Sequence, residues 1–202
     1  MQRAYDQFRN NMKYVKELDS LFIHLKDFLH LPNDLTDILR AEWVYSVSAM
    51  DKLIHELVRI GMIEAFQGRR PQTAKFTSFG ITTNTLLSNI NNTGYPTEYW
   101  FEQEIIERHK HLAFQAPEKI ADALSLIWND QHKWQTLATA LGASQQTLTT
   151  KLKTIVNRRN QIVHEADLDL TTGVRNSVDK SDIDDVVIFI EKLCEAIFNA
   201  VK

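Results

Sequence analysis

Ten residues supply all the backbone punctuation of this 202-residue chain, six glycines and four prolines. A chain so poor in turn formers has few places to reverse, and it is driven towards long helices. The apolar residues agree, because they recur at three and four along most of the chain, the spacing that lines one face of a helix. From Ala4 to about Leu29 the stripe is Tyr5, Phe8, Met12, Val15, Phe22, Leu25 and Leu29, ended before Pro32. A second helix, capped by Asp34 or Thr36 and closed by Gly68, runs to about Phe66 on Leu39, Trp43, Val47, Met50, Ile54 and Leu57. At ~1.5 Å per residue it spans about 45–50 Å, long enough to be the spine of a fold.

Residues 67–96 break the rhythm: Thr, Asn and Ser accumulate, a short helix fits only around Thr82–Ile90, and the stretch reads as an irregular surface insertion. Regularity then returns. Thr97 caps a helix carrying Trp100, Phe101, Ile105 and Leu112, and Pro117 opens one carrying Ile120, Leu124, Ile127 and Trp128. A short helix at Trp134–Leu141 stops at Gly142, and Ser144 caps the next. After the turn-like ADLDLTTG, Ser181 and Asp184 resemble a capping box for a last helix burying Ile183, Val186, Val187, Ile190, Leu193, Cys194, Ile197 and Val201. Nothing reads as a strand or a repeat. The expectation is one all-α bundle over residues 1–202, with Trp43, Trp100, Trp128 and Trp134 in the core.

Composition removes some functions. Net charge is -3, so nucleic acid would be met only by a local patch. One cysteine forms no internal disulfide, there is no membrane-length apolar run and no leader, and a cytoplasmic protein is expected. His109 and His111 diverge on a helix, and His24 and His30 lack a carboxylate or thiol at ligand spacing, so neither metal nor cofactor is expected.

The stretch Ser144–Asp169 reads as one amphipathic helix of roughly five to six turns, and it carries the chemistry. Leu148, Leu152, Ile155, Val156, Ile162 and Val163 share one arc, and Arg159 falls inside it. A guanidinium keeps its proton, so a buried Arg159 needs an anion or an opening onto a site. Asn160 and His164 are neighbours one turn apart on the flank. Histidine moves protons near neutral pH, and arginine stabilises phosphate charge. Together with Asn160 these types suit attack of a ribose 2′-hydroxyl on the adjacent phosphodiester, a reaction that needs no metal. Glu165 is placed either to tune His164 or to face water. Asp51 and His55, four apart on the second helix, form either a helix-stabilising pair or a carboxylate-oriented imidazole. Arg69 and Arg70, with Lys75, are a solvated basic face or a phosphate contact, and Arg158 is a further candidate RNA contact. LATALGASQQTLTTKL also resembles a helix-turn-helix, in which Gln145, Gln146, Thr149 and Lys153 would meet DNA.

The string RRNQIVHEADLD matches the R-N-x-x-x-H motif of the HEPN superfamily. With WVYSVSAMDKLIHELV in the second helix and ALSLIWND–KWQTLATALG before the motif, the chain resembles the RiboL-PSP type of HEPN domain. The resemblance implies an all-α bundle with long N-terminal helices and a C-terminal motif helix pair. It also implies a metal-independent endoribonuclease of toxin or phage-defence type, homodimeric through the motif helix, with RNA and an antitoxin or other regulatory protein as partners. Arg159 would then bind the scissile phosphate, His164 act as acid or base, and Asn160 position them; Asp51 and His55 belong to the same resemblance. Family members that only bind RNA or nucleotides keep a non-catalytic module open.

Overall fold

The computed structural model describes every residue except Asn92, Thr93 and Leu170. Among the described residues the chain is all helical, with one isolated antiparallel bridge, Leu168 to Arg175, and no strand. Helix α1 is Gln2–Ile23, continued by a π-helix at His24–Phe28; α2 is Thr36–Phe66; α3 is Ala74–Thr77; α4 is Thr83–Asn91; and α5 is Thr97–His109. Then follow α6 (Pro117–Leu124), α7 (Lys133–Ala140), α8 (Gln145–His164) and α9 (Lys180–Val201).

The long second helix is the spine, and α1, α5, α6, α8 and α9 all pack against it. Its buried face includes Leu39, Trp43, Val47, Met50, Ile54 and Leu57, and continues through Met62 and Ala65. Gly68 (φ 72°) turns the chain out of the helix, and Arg69 N–H closes the end on the Glu64 carbonyl at 2.8 Å. Near that end Gly61 lets Ile127 lie against the helix backbone: a Cβ there would come 2.7 Å from Ile127 Cγ2 and 2.9 Å from Met1 Cε. Gly61→Val is therefore expected to destabilise by about 1–3 kcal/mol through overpacking, read as a lower denaturation midpoint at unchanged m.

Several boundaries differ from the periodicity reading. The first helix turns π-helical at His24, with Leu29 N–H bonded to the His24 carbonyl at 3.0 Å, and this leaves Leu29 exposed. The N-cap of α2 is Leu35: Thr36 Oγ1 accepts from Arg40 (2.6 Å), while Asp34 accepts the Thr36 N–H (2.9 Å). Helix α5 ends at His109, so Leu112 is exposed beyond it, and its N-cap is Pro96. The capping box of α9 is Asp179 with Asp182, two residues ahead of the expected pair; starting there lets Lys180 reach both Asp19 and Asp184. Trp43 and Trp134 are buried, whereas Trp100 and Trp128 are half-buried. Cys194 is fully buried, and burial pushes its thiol well above the ordinary value. No helix among the described residues is long and apolar enough to cross a membrane.

Residues 67–96 hold α3 and α4, and side chains tether them to the bundle. Thr73 caps α3 through the Phe76 N–H and donates its hydroxyl to the Ser125 carbonyl (2.8 Å). Glu104 of α5, itself buried, accepts from Thr82 and Thr85.

Candidate functional site

Ser144 opens α8 by accepting the Thr147 N–H at 3.0 Å, just after Gly142 (φ 64°) reverses the chain from α7. Leu148, Leu152, Ile155 and Val156 are buried, and Trp43 of α2 donates its indole N–H to the Ile155 carbonyl (3.0 Å), which pins the middle of α8 to the spine. The seal then opens. Ile162 is half-buried, and Val163 is 44% exposed. The helix ends at His164, five residues short of Asp169.

Arg158 and Arg159 are consecutive, so they leave the helix about 100° apart and meet different surroundings. Arg158 turns inward. Its Nη2 donates to Asp167 Oδ2 (3.0 Å) and to the Ser177 carbonyl (2.9 Å), while Nη1 lies 2.8 Å from Asp167 Oδ1 as an ion pair, not an aligned hydrogen bond. Asp167 is 1% exposed and also accepts from Arg40 Nε of α2 at 2.6 Å. Arg159 has no such carboxylate among the described residues. Its Nη1 donates to Asn160 Oδ1 at 3.1 Å, and its Nε is buried without a partner. A buried, unpaired guanidinium N–H is costly unless something arrives to accept it.

His164 is exposed at the helix end, and its ring makes no hydrogen bond among the described residues. Asn160 lies one turn before it, so the order around the helix is Arg159, Asn160, His164, with the amide between the cation and the imidazole. Glu165 follows as the exposed C-cap. From Gln145 to His164 the helix contains no Asp or Glu, although the chain has 26. Gln146, Thr150, Lys153, Asn157, Asn160 and His164 form an exposed polar stripe along it. The nearest carboxylate contact on that stripe is Glu118, 4.0 Å from Lys153.

The remaining sequence candidates lie elsewhere. Asp51 accepts the Phe114 N–H (2.6 Å) and the Gln115 amide (3.0 Å), and His55 lies 3.2 Å from the Leu112 carbonyl with its ring against Phe114. The pair, 3.7 Å apart, straps residues 112–115 onto α2 and makes no hydrogen bond or ion pair to α8 among the described residues. Buried beside it, His109 has its pKa pushed down to about 4, first by burial and then by His55, Arg108 and Lys75. Arg70 pairs with Glu64 (3.1 Å) and donates to the Val201 carbonyl (2.7 Å), and Arg69 bonds Gln67. Both follow the last turn of α2, whereas Arg40, which shares Asp167 with the motif helix, is near its start; the two ends of α2 are about 45 Å apart. No group of three or more metal-type ligands assembles among the described residues.

Residues 9–202 match the family model described as RiboL-PSP-HEPN. The chain belongs to the RiboL-PSP-HEPN family. HEPN domains are helical and generally connected with RNA and nuclease action, which fits an R-N-x-x-x-H string at the open end of a bundle helix. No curated protein and no solved structure matches the chain. Asp167 and Arg40 are the residues around the candidate arginines that spacing alone misses; the available signal was an arginine next to Leu39 on the buried face of α2, which requires an acid from somewhere.

Proposed function

We propose that this HEPN domain is a metal-independent endoribonuclease of toxin or phage-defence type, acting on cytoplasmic RNA at a cleft shared by two copies of the chain. The observation that carries the reading is the contrast between the two arginines. Arg158 is neutralised by a buried acid, whereas among the described residues Arg159 keeps an unsatisfied N–H and meets no carboxylate, beside an imidazole that makes no hydrogen bond. A phosphate would supply the negative charge and acceptor oxygens that this guanidinium lacks.

In the proposed reaction His164 takes the proton of the ribose 2′-hydroxyl. The 2′-oxygen bonds to phosphorus, the bond from phosphorus to the 5′-oxygen breaks, and a proton from His164 of the second copy completes the 5′-hydroxyl. The other product is a 2′,3′-cyclic phosphate. Arg159 donates to the non-bridging oxygens as their charge grows, and Asn160 holds it in register. The carboxylate-free stripe of α8 gives the strand a path that does not repel its backbone. Val163, Leu168 (39% exposed) and Val174 (65% exposed) fringe the helix end and supply the apolar rim for the second copy.

Single-stranded RNA incubated with the protein in EDTA is expected to yield 2′,3′-cyclic phosphate and 5′-hydroxyl ends. Val163→Asp is expected to shift the protein from dimer to monomer in sedimentation and to abolish cleavage. RNA bound but uncut, whatever its sequence, would leave a silent RNA- or nucleotide-binding module. Salt-dependent duplex DNA binding lost on changing Gln145 and Gln146 would indicate a DNA regulator instead.

A further inference from the structure

Two adjacent arginines compete to face the substrate, and the residue that separates them lies just beyond the motif. We propose that Asp167 is a positioning residue for the cleavage reaction: it draws Arg158 inward, ends α8 at His164, and leaves Arg159 as the guanidinium that meets phosphate. The proposal rests on the nuclease reading.

The backbone supports it. After His164 the chain passes through two non-glycine residues at positive φ, Ala166 (52°) and Asp167 (60°). Asp enters that region more readily than most L residues, but Ala holds it only where its surroundings fix it. Here the Asp167 N–H donates to the Gln161 carbonyl (3.0 Å), and its own carbonyl accepts from the Asn176 N–H (2.8 Å) and side-chain amide (3.1 Å). The carboxylate adds Arg40 and Arg158, whose side chains are 6% and 16% exposed. Arg40 also reaches the Asn176 carbonyl (2.7 Å), so the start of α2, the turn after α8 and residue 176 meet around one acid. Without its charge, two nearly buried guanidiniums repel each other. The simplest relief is for Arg158 to swing out, fray the last turn of α8 and contend with Arg159 for the phosphate.

Asp167→Asn tests this, since Asn tolerates positive φ and keeps the size while removing the charge. Measured per folded molecule, kcat is expected to fall about 10–100-fold with little change in KM, as for a misplaced reacting group. Amide exchange should speed up at residues 165 and 167 but not at Leu152 or Val156. Wild-type kcat with those two amides still protected would overturn the proposal. Uniformly faster exchange along α8 and α2 would also overturn it, because it would show a merely structural role. If Asp167→Asn does not fold, Arg158→Lys keeps the charge, loses the planar fork, and is read by the same two measurements. If the wild type cuts no RNA, the nuclease reading fails on its own, and exchange still decides whether Asp167 holds the helix end.

Discussion

Replacing His164 by alanine is expected to lower the RNA cleavage rate by about 10²–10⁴-fold, the range for removing a positioned acid–base group. Folding should be unaffected, because the ring is exposed, makes no hydrogen bond among the described residues, and ends its helix. Arg159→Ala should cost a similar factor, about 10²–10³-fold, because it removes donors aimed at developing phosphate charge. It should also relieve the buried Nε and so leave stability unchanged or slightly raised. Arg159→Lys separates charge from shape: a lysine restores the cation but not the fork, so partial recovery at most is expected. Gel assays in EDTA on matched, folded variants decide the matter. Cleavage that survives at both positions would remove this site from the chemistry.

A second large effect concerns stability against pH. Glu42 of α2 is 1% exposed, and its pKa is pushed up to about 7, first by burial, then by Asp19, with Lys180 pulling the other way. Relative to an ordinary value of 4.5, the folded state holds this proton more tightly than the unfolded chain. Stability therefore falls as pH rises from about 4.5 to about 7 and is flat above. His109 has the opposite sign. Its imidazole, depressed from 6.5 to about 4, is neutral in the fold where the unfolded chain is charged, so stability rises with pH across that window. Each contribution is on the order of 3 kcal/mol, and over the shared window they nearly cancel. The wild type should thus show a shallow profile between pH 4.5 and 6.5. Glu42→Gln should reveal the rising His109 limb and, above pH 7, exceed the wild type by about 2–3 kcal/mol in urea unfolding. A Glu42→Gln profile parallel to the wild type at every pH would refute the assignment.

What could be read from the sequence was whatever local spacing encodes. The stripe from Leu39 to Leu57 and the stop at Gly68 place α2, and Ser144 with Leu148, Leu152 and Ile155 places the motif helix. The unread part depends on partners distant in sequence. Arg40 and Asp167 are 127 residues apart, so no periodicity joins them, and the two positive-φ residues that stop α8 are Ala and Asp, which do not advertise a helix end as Gly does. The same limit applies to Asp51, whose helical neighbour suggested a His–Asp pair while its two short bonds go to Phe114 and Gln115. The caps of α2 and α9 slipped by a residue or two because the Thr36 hydroxyl is taken by Arg40 one turn along its own helix, and Lys180 pairs with Asp19 of α1. Candidate chemistry at Arg159, Asn160 and His164 was visible as residue types. Which of the paired arginines stays uncommitted was not, since that is decided by the fold around Asp167.

The sealed position of Cys194 has a practical use. With its only thiol enclosed and held protonated, the native chain is expected to behave towards maleimides and spin labels as though it were cysteine-free. A single engineered thiol at Thr150 or Asn157 would therefore take a probe alone, without a background-removing mutation. Distances between such probes in paired copies would then report directly how two motif helices approach each other.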